Sequence, residues 1–267
     1  MGASMPRVLR LKLRPSKIHT MRVGVYGLGR FGSFWASELA RHFSVKGYSR
    51  SQHRKTPDGV ERVSEHEIAQ TPVLFLCVAI SALEEVIGRL SGLLRPGALV
   101  LDTCSIKVYP VSLMERLLPA GVEIMATHPM FGPDSAKHGV DGLPLVLWPV
   151  RVSDDTLAYW KRFFGSIGLN IVQMTPEEHD REAAFTQGVT HYIGRVVADL
   201  GLRESPIGTL GYQKLLQIAE QTCNDPWQLF VDLQRFNPYT RDMRRMLHES
   251  LDRIMGELEG LSSNAQD

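Results

Sequence analysis

The 267-residue chain is poor in cysteine, has no long apolar run and carries almost no net charge. Its three cysteines, Cys77, Cys104 and Cys223, form no CxxC pair and no metal-ligand spacing. This argues against a disulfide framework or a thiolate metal site, so the thiols read as packing residues in a reducing compartment and no metal is expected. No apolar stretch approaches the roughly 18–20 residues that cross a bilayer, so no membrane span is expected. Lys and Arg number 30 against 29 Asp and Glu, so no global charge calls for nucleic acid or an anionic membrane surface. The 43% hydrophobic and 22% charged residues are ordinary for a soluble globular protein.

One-sided charge is confined to "MGASMPRVLRLKLRPSKIHT", residues 1–20, which hold five Lys/Arg and no acid before a second methionine, Met21. An Arg-rich, acid-free start can be an organelle-targeting segment. The favoured reading is a disordered basic tail, or a start placed too early, in a cytoplasmic protein.

From Met21 to about Thr175, apolar runs of strand length alternate with helical patterns. "RVGVYG", "SVKGYS", "PVLFLCV", "GALVLDT", "VEIMAT", "LPLVLWPV" and "NIVQM" read as strands, several of them apolar without alternation, as doubly buried strands should be. Helical patterns such as "SALEEVIGRLSGLL" lie between them. This is the signature of an α/β domain, a Rossmann-type, mostly parallel sheet covered on both faces. After Thr175, Pro176 and an acidic first turn open a region with no convincing strand. The expected division is a basic tail over 1–20, a nucleotide-binding domain over 21–175 and an all-helical domain over 176–267. So small a helical unit should bury apolar surface against a second copy, which predicts a homodimer.

The first strand runs into "GLGRFG", a GxGxxG turn at Gly27, Gly29 and Gly32 that opens a helix. The first glycine allows the tight turn, the second lets a pyrophosphate approach the backbone, and the third lets helix and strand pack closely. Leu28, Arg30 and Phe31 complete the loop, and Val78, after the "PVLFLC" strand, is expected to line the same cofactor site. An NAD-specific domain usually places an acid at the end of its second strand to hold the ribose hydroxyls. Here Ser44 to Pro57 contains none, and Ser49, Arg50 and Ser51 occupy that place, with Arg54 and Lys55 beyond. A guanidinium and hydroxyls suit a 2′-phosphate, which predicts NADP.

Ligands of such sheets bind beyond the carboxyl ends of the strands. "LVLDTCSIK" places Asp102, Ser105 and Lys107 at one strand end, and "IMATHPMFGP" places His128 at the next. A neutral imidazole beside a nicotinamide can accept an alcohol's proton while hydride leaves its carbon. Ser105 could bond the same hydroxyl, and Lys107 could bind an anion or anchor the loop. Each also has a structural alternative: Ser105 as a helix cap, Lys107 as surface charge and His128 as a satisfied strand-end residue. In the helical half, Ala184, Gly188, His191 and Arg195 recur at helical spacing, with Gln187 one turn before His191. His191 reads equally as a ligand residue or as a buried histidine against a neighbouring helix. His179, in the first turn of its helix, reads as a capping or structural histidine.

"GLGRFG", "DTCSIK", "THPMFGP", "EEHDREAA" and "THYIGR" together resemble the prephenate/arogenate dehydrogenase family of tyrosine biosynthesis, from about Arg22 to Asp252. The helical half, with "VTHYIGR", "GYQKLLQIAEQT" and "DPWQLF", looks closer to the plant-type branch. The resemblance implies an NADP-dependent oxidative decarboxylation with His128 as base, Ser105 holding the ring hydroxyl and His191 lining the substrate pocket. Two departures from the bacterial pattern stand out. Gly188 replaces the first histidine of "SHxxH", and Gln217 occupies the place of an arginine that pairs with a substrate carboxylate. Carboxylate recognition would then fall to Lys107, Arg195 or an arginine of a second subunit. Because Gln217 carries no charge, the expected preference leans to prephenate, with arogenate or both open. Two other readings compete: another NADP-dependent hydroxyacid dehydrogenase using a helix-borne lysine, and a non-catalytic NADPH-sensing dimer.

Overall fold

Strand β1 (Arg22–Tyr26) buries Val23 and Val25 on one face and Tyr26 on the other, so it must be covered from both sides. The cover comes from the alternation expected of the sequence. A computed structural model describes residues 21–264; the basic tail of residues 1–20 and the extreme C-terminus lie outside the described residues. After β1 come α1 (Arg30–Ala40), β2 (Ser44–Tyr48), β3 (Val60–Arg62), α2 (Glu65–Ala69), β4 (Val73–Leu76) and α3 (Leu83–Ser91). Then follow β5 (Leu99–Asp102), α4 (Val108–Leu117), β6 (Glu123–Pro129), β7 (Pro144–Arg151), α5 (Asp154–Ser166) and β8 (Asn170–Gln173).

The eight strands form one sheet in the order β3-β2-β1-β4-β5-β6-β7-β8. Only the β6–β7 pairing is antiparallel, with His128 opposite Val146. The chain reverses its direction of travel between β1 and β4, the switch point where doubly wound sheets bind ligands. Side chains alternate across the sheet: on β5, Leu99 and Leu101 join the core under α1 and α5, while Val100 joins the core under α3 and α4. Each fully buried residue of this kind contributes about 1.5–3 kcal/mol, so the two cores hold the strand ends rigid. Strand β3 was not expected; three residues, of which Glu61 and Arg62 are exposed, are too few to leave a pattern.

Beyond β8 every described element is helical: α6 (Pro176–Ala183), a π-helical turn (Ala184–Gly188), α7 (Val189–Asp199), α8 (Leu210–Cys223), α9 (Trp227–Phe236) and α10 (Thr240–Asn264). Thr175 and Glu178 form a capping box at the start of α6, with Pro176 in its first turn. The sequence reads residues 177–200 as one helix, but the π turn divides it. The Gly188 carbonyl accepts from Gln234 Nε2 of α9 at 2.9 Å. Absence of a side chain at Gly194 lets α7 and α8 meet, since a Cβ there would stand 2.1 Å from Thr222 Oγ1. Among the described residues no helix is long and apolar enough to cross a membrane.

Candidate active site

The carboxyl edge of the sheet and the helical half together enclose a cleft of about 650 Å³. At one end lies the glycine turn. Gly27 has φ +104°, a conformation that side-chain-bearing residues rarely adopt, and a Cβ on Gly32 would fall 1.8 Å from the Gly27 carbonyl oxygen. Gly29 has nothing within 4 Å of where its Cβ would be, and no side chain caps α1. The first amides of α1 therefore face open space, as a pyrophosphate cradle requires, and the residues fit a dinucleotide. Gly29, Arg30, Phe31, Gly32 and Val78 line the cleft. Leu28 does not: its side chain is buried and packs beneath Gly47, supporting the loop from the core side.

The loop after β2 is held by a residue that the sequence reading missed. Arg62 of β3 donates to the carbonyls of Ser49, Ser51 and Arg54 at 3.2, 2.8 and 2.6 Å. One guanidinium thus gathers the loop's carbonyls inward and leaves Arg50 and Ser51 exposed, while Arg54 reaches the cleft.

At the other end, Ser105, His128, Gln187 and His191 line the same cavity. Ser105 Oγ, Gln187 Oε1 and His191 Nδ1 are buried there without a hydrogen-bond partner. Three such orphans in one cleft are what a polar ligand would satisfy, because leaving them unpaired costs roughly 1–3 kcal/mol each. The π turn helps to bring them together: Thr186, Gln187, Thr190 and His191 all face the cleft. Burial pushes His191 below its ordinary value, Asp225 opposes this, and Arg195 adds to it.

His128 is 3% exposed, and burial, then the neighbouring His179 and Lys107, hold it well below the usual imidazole range. It is therefore neutral at neutral pH and able to take a proton. Its Nδ1 lies 2.8 Å from Nε2 of His179, whose Nδ1 lies 2.7 Å from Asp180 Oδ1. His179 is thus not a capping residue; Thr175 does that work, and His179 touches the candidate base. Sequence reasoning missed this pair, for which the only signal was the adjacent His-Asp of "EEHDREAA".

Three expected ligand residues lie elsewhere. Lys107 is 1% exposed; its ammonium pairs with the buried Asp102 carboxylate and donates to the Thr127 carbonyl at 2.6 Å. It anchors the loop and is not available to a substrate anion. Gln217 is exposed on α8 and does not line the cleft; Gln221, four residues later on the same stripe and about 6 Å along the axis, does. Arg195 stacks over Trp227 and donates to the carbonyls of Thr222 and Asp225 at 3.0 and 2.8 Å, bracing the turn between α8 and α9. Among the described residues the Lys and Arg side chains lining the cleft are Arg30 and Arg54, and its acids are Asp225 and Asp232. Arg30 bridges Asp134 and Asp225, while Asp232 accepts from the Ser81 amide and hydroxyl at 3.0 and 2.9 Å, docking α9 onto the turn after β4. Burial pushes the Cys77 thiol up to about 12 and raises Cys104 as well, so neither is a nucleophile at neutral pH.

Comparison with known proteins agrees with this geometry. Residues 38–173 match the family model "Prephenate dehydrogenase, nucleotide-binding domain", and residues 196–267 match "TYRAAT1-like, C-terminal domain". The chain is 34% identical over 263 residues to arogenate dehydrogenase 2, chloroplastic, of Arabidopsis thaliana, covering 94% of this chain and 74% of that one. It is 32% identical over 252 residues to arogenate dehydrogenase 1, chloroplastic, of the same plant, covering 90% of this chain but 39% of that longer protein. The fold is shared with the crystal structure of an A. aeolicus prephenate dehydrogenase in complex with hydroxyphenyl propionate and NAD+. The TM-score is 0.72 and the identity 20%, covering 91% of this chain and 94% of that one.

Proposed function

The chain belongs to the prephenate/arogenate dehydrogenase family, and from that premise we propose that it oxidatively decarboxylates arogenate, prephenate or both, with NADP+ as acceptor. The products would be tyrosine from the first and 4-hydroxyphenylpyruvate from the second. The observation that carries the reading is that neutral His128 and the partnerless Ser105 Oγ line one cleft with the glycine cradle.

Bound NADP+ would supply the hydride acceptor for the ring carbon bearing the hydroxyl. His128 Nε2, the ring nitrogen not engaged by His179, accepts the hydroxyl proton. Ser105 Oγ bonds the same hydroxyl and holds it toward the imidazole. Gln187 of the π turn and His191 of α7 bond the far side of the ring. The ring carboxylate then leaves as CO2, its bonding electrons complete the aromatic ring, and the proton returns from His128 to the phenolate oxygen. Aromatisation drives the step, so the protein's main task is alignment.

The 2′-phosphate reading rests on Arg50, Ser51 and Arg54, presented by a loop that Arg62 organises. For the substrate, Asp225 in the cleft favours arogenate over the prephenate preference expected from Gln217. Arg30 and Arg54 balance Asp225 and Asp232 among the charged side chains lining the cleft, but Arg30 divides its guanidinium between Asp225 and Asp134, which lies outside the lining. The half-paired Asp225 carboxylate would attract arogenate's ammonium and offers nothing to the purely anionic side chain of prephenate. We further assign a homodimer formed through the helical half, supported by the exposed Met246, Leu251, Ile254 and Met255 of α10. Unpaired cysteines at 77, 104 and 223 agree with action in the cytoplasm or another reducing compartment.

The test is absorbance at 340 nm with each substrate and each of NADP+ and NAD+. Turnover that vanishes in His128→Asn supports the reading; undiminished turnover in that variant refutes it.

A further inference from the structure

His179 and Asp180 occupy the first turns of α6, both buried, although the capping box at Thr175 and Glu178 already closes that helix. The Asp180 carboxylate accepts three hydrogen bonds. Two come from backbone amides at the start of α4, Lys107 N at 2.6 Å and Val108 N at 2.9 Å, and the third from His179 Nδ1 at 2.7 Å. Its own carbonyl accepts from Asn237 Nδ2 at 2.7 Å, which ties this turn to the end of α9. The orientation of the carboxylate is therefore fixed by main chain that cannot rotate away.

Those fixed donors dictate the protons next to them. An acceptor at Oδ1 requires His179 to carry its proton on Nδ1. With a single ring proton, His179 then presents a bare Nε2, 2.8 Å from His128 Nδ1. His128 must in turn carry its proton on Nδ1, and its lone pair is left on Nε2. The opposite tautomer of His128 would set two nitrogen lone pairs against each other between the rings.

We propose that His179 and Asp180 are positioning residues that set the His128 tautomer and hold the charge it acquires; this deepens the reading of His128 as base and rests on it. As the substrate O–H bond breaks, an N–H bond forms at His128 Nε2, and the oxygen keeps the electron pair that becomes the carbonyl as hydride leaves the same carbon. The Nδ1 proton stays bonded to His179, whose own proton faces the carboxylate, so the imidazolium is stabilised through two rings by Asp180. The Lys107 ammonium also acts on His128; it opposes the imidazolium and is itself paired with Asp102. Neither His179 nor Asp180 lines the cleft, so neither touches a ligand there directly.

Two measurements on the full-length protein test this. In wild type, long-range proton–nitrogen spectra of 15N-histidine-labelled protein should show His128, assigned by its loss in His128→Asn, protonated at Nδ1 and bare at Nε2. His179→Phe, which keeps the ring and removes both nitrogens, should lower kcat by about 100-fold or more with KM changed by less than about three-fold. His128 protonated at Nε2 in wild type overturns the proposal, as does a folded His179→Phe variant with near-normal kcat. Should His179→Phe fail to fold, the wild-type spectrum still decides. Full turnover in His128→Asn would instead refute the underlying assignment of the base, so the two failures are distinguishable.

Discussion

Replacing Lys107 by methionine separates the anchoring role seen in the fold from the anion-binding role that its motif suggested. Methionine keeps most of the side chain's length and apolar stem but removes the ammonium, and with it the bonds to Asp102 and the Thr127 carbonyl. Asp102 is fully buried, and it would keep only the amides of Cys104 and Thr127, at 3.1 and 3.2 Å. Breaking a buried ion pair by removing one member costs about 3–5 kcal/mol, because the remaining charge is left uncompensated. At roughly 2–4 °C per kcal/mol for a chain of this size, the melting temperature should fall by about 6–20 °C. A companion Asp102→Leu/Lys107→Met variant, which removes both charges, should recover a large part of that loss. The assay is thermal unfolding followed by circular dichroism, paired with KM measured well below the lowered melting temperature. A Tm within about 2 °C of wild type, together with a KM raised ten-fold or more, would place Lys107 on the substrate and refute the buried-pair argument.

Three further outcomes are expected. Arg50→Ala should weaken NADP+ by about 1–3 kcal/mol, roughly 5- to 150-fold in KM, with NAD+ nearly unaffected; equal losses with both cofactors would contradict a 2′-phosphate contact. Asp225→Asn removes the half-paired carboxylate and should shift the arogenate-to-prephenate ratio of kcat/KM toward prephenate by about 1.5–3 kcal/mol, roughly 10- to 150-fold; an unchanged ratio would take Asp225 out of the selectivity argument. Stability should decline on acidification. The folded-state values of His128 and His191 are both lowered by burial, so below about 6.5 the unfolded chain binds more protons. The stability present above that pH is lost as the pH falls toward the folded-state values, at up to about 1.4 kcal/mol per pH unit for each histidine. Urea midpoints at pH 7.5 and 5.5 measure this, and a higher midpoint at 5.5 would show the sign to be wrong.

What the sequence made legible is what the chain does over short distances. The glycine turn is local: Gly27 and Gly32 are required by a backbone path of six residues, and that path is visible as GxGxxG. The doubly buried strands announce themselves by unbroken apolar runs, and the start of α6 by Thr175, Pro176 and Glu178. Lys107 misled because proximity in sequence says nothing of direction. It shares a loop with Ser105, but the loop turns its ammonium back under β6, to Asp102 and Thr127, while Ser105 faces the cleft. Gln217 was misplaced by a single helical turn, which motif alignment cannot resolve without knowing where the cleft meets α8.

The harder loss was the environment of His128. Its partner is 51 residues away, on an element whose first turn already looks explained by its cap. Periodicity assigns His179 to the buried side of α6 but not to a particular neighbour. The neighbour follows only once α6 packs beside α4, so that the α4 amides seize the Asp180 carboxylate and fix every ring nitrogen between it and the cleft. The candidate base is therefore recognisable from "THPMFGP", whereas its protonation pattern is a property of tertiary packing. The same reasoning makes substitutions in the α4–α6 contact, remote from the cleft, capable of lowering kcat without touching substrate affinity. Asp180→Asn, which keeps the side chain's shape but removes the charge that faces the His179 Nδ1 proton and the two α4 amides, should reproduce a milder form of the His179→Phe defect. An Asp180→Asn enzyme that folds normally and loses substrate affinity, with kcat intact, would show that the carboxylate is not the anchor of the relay.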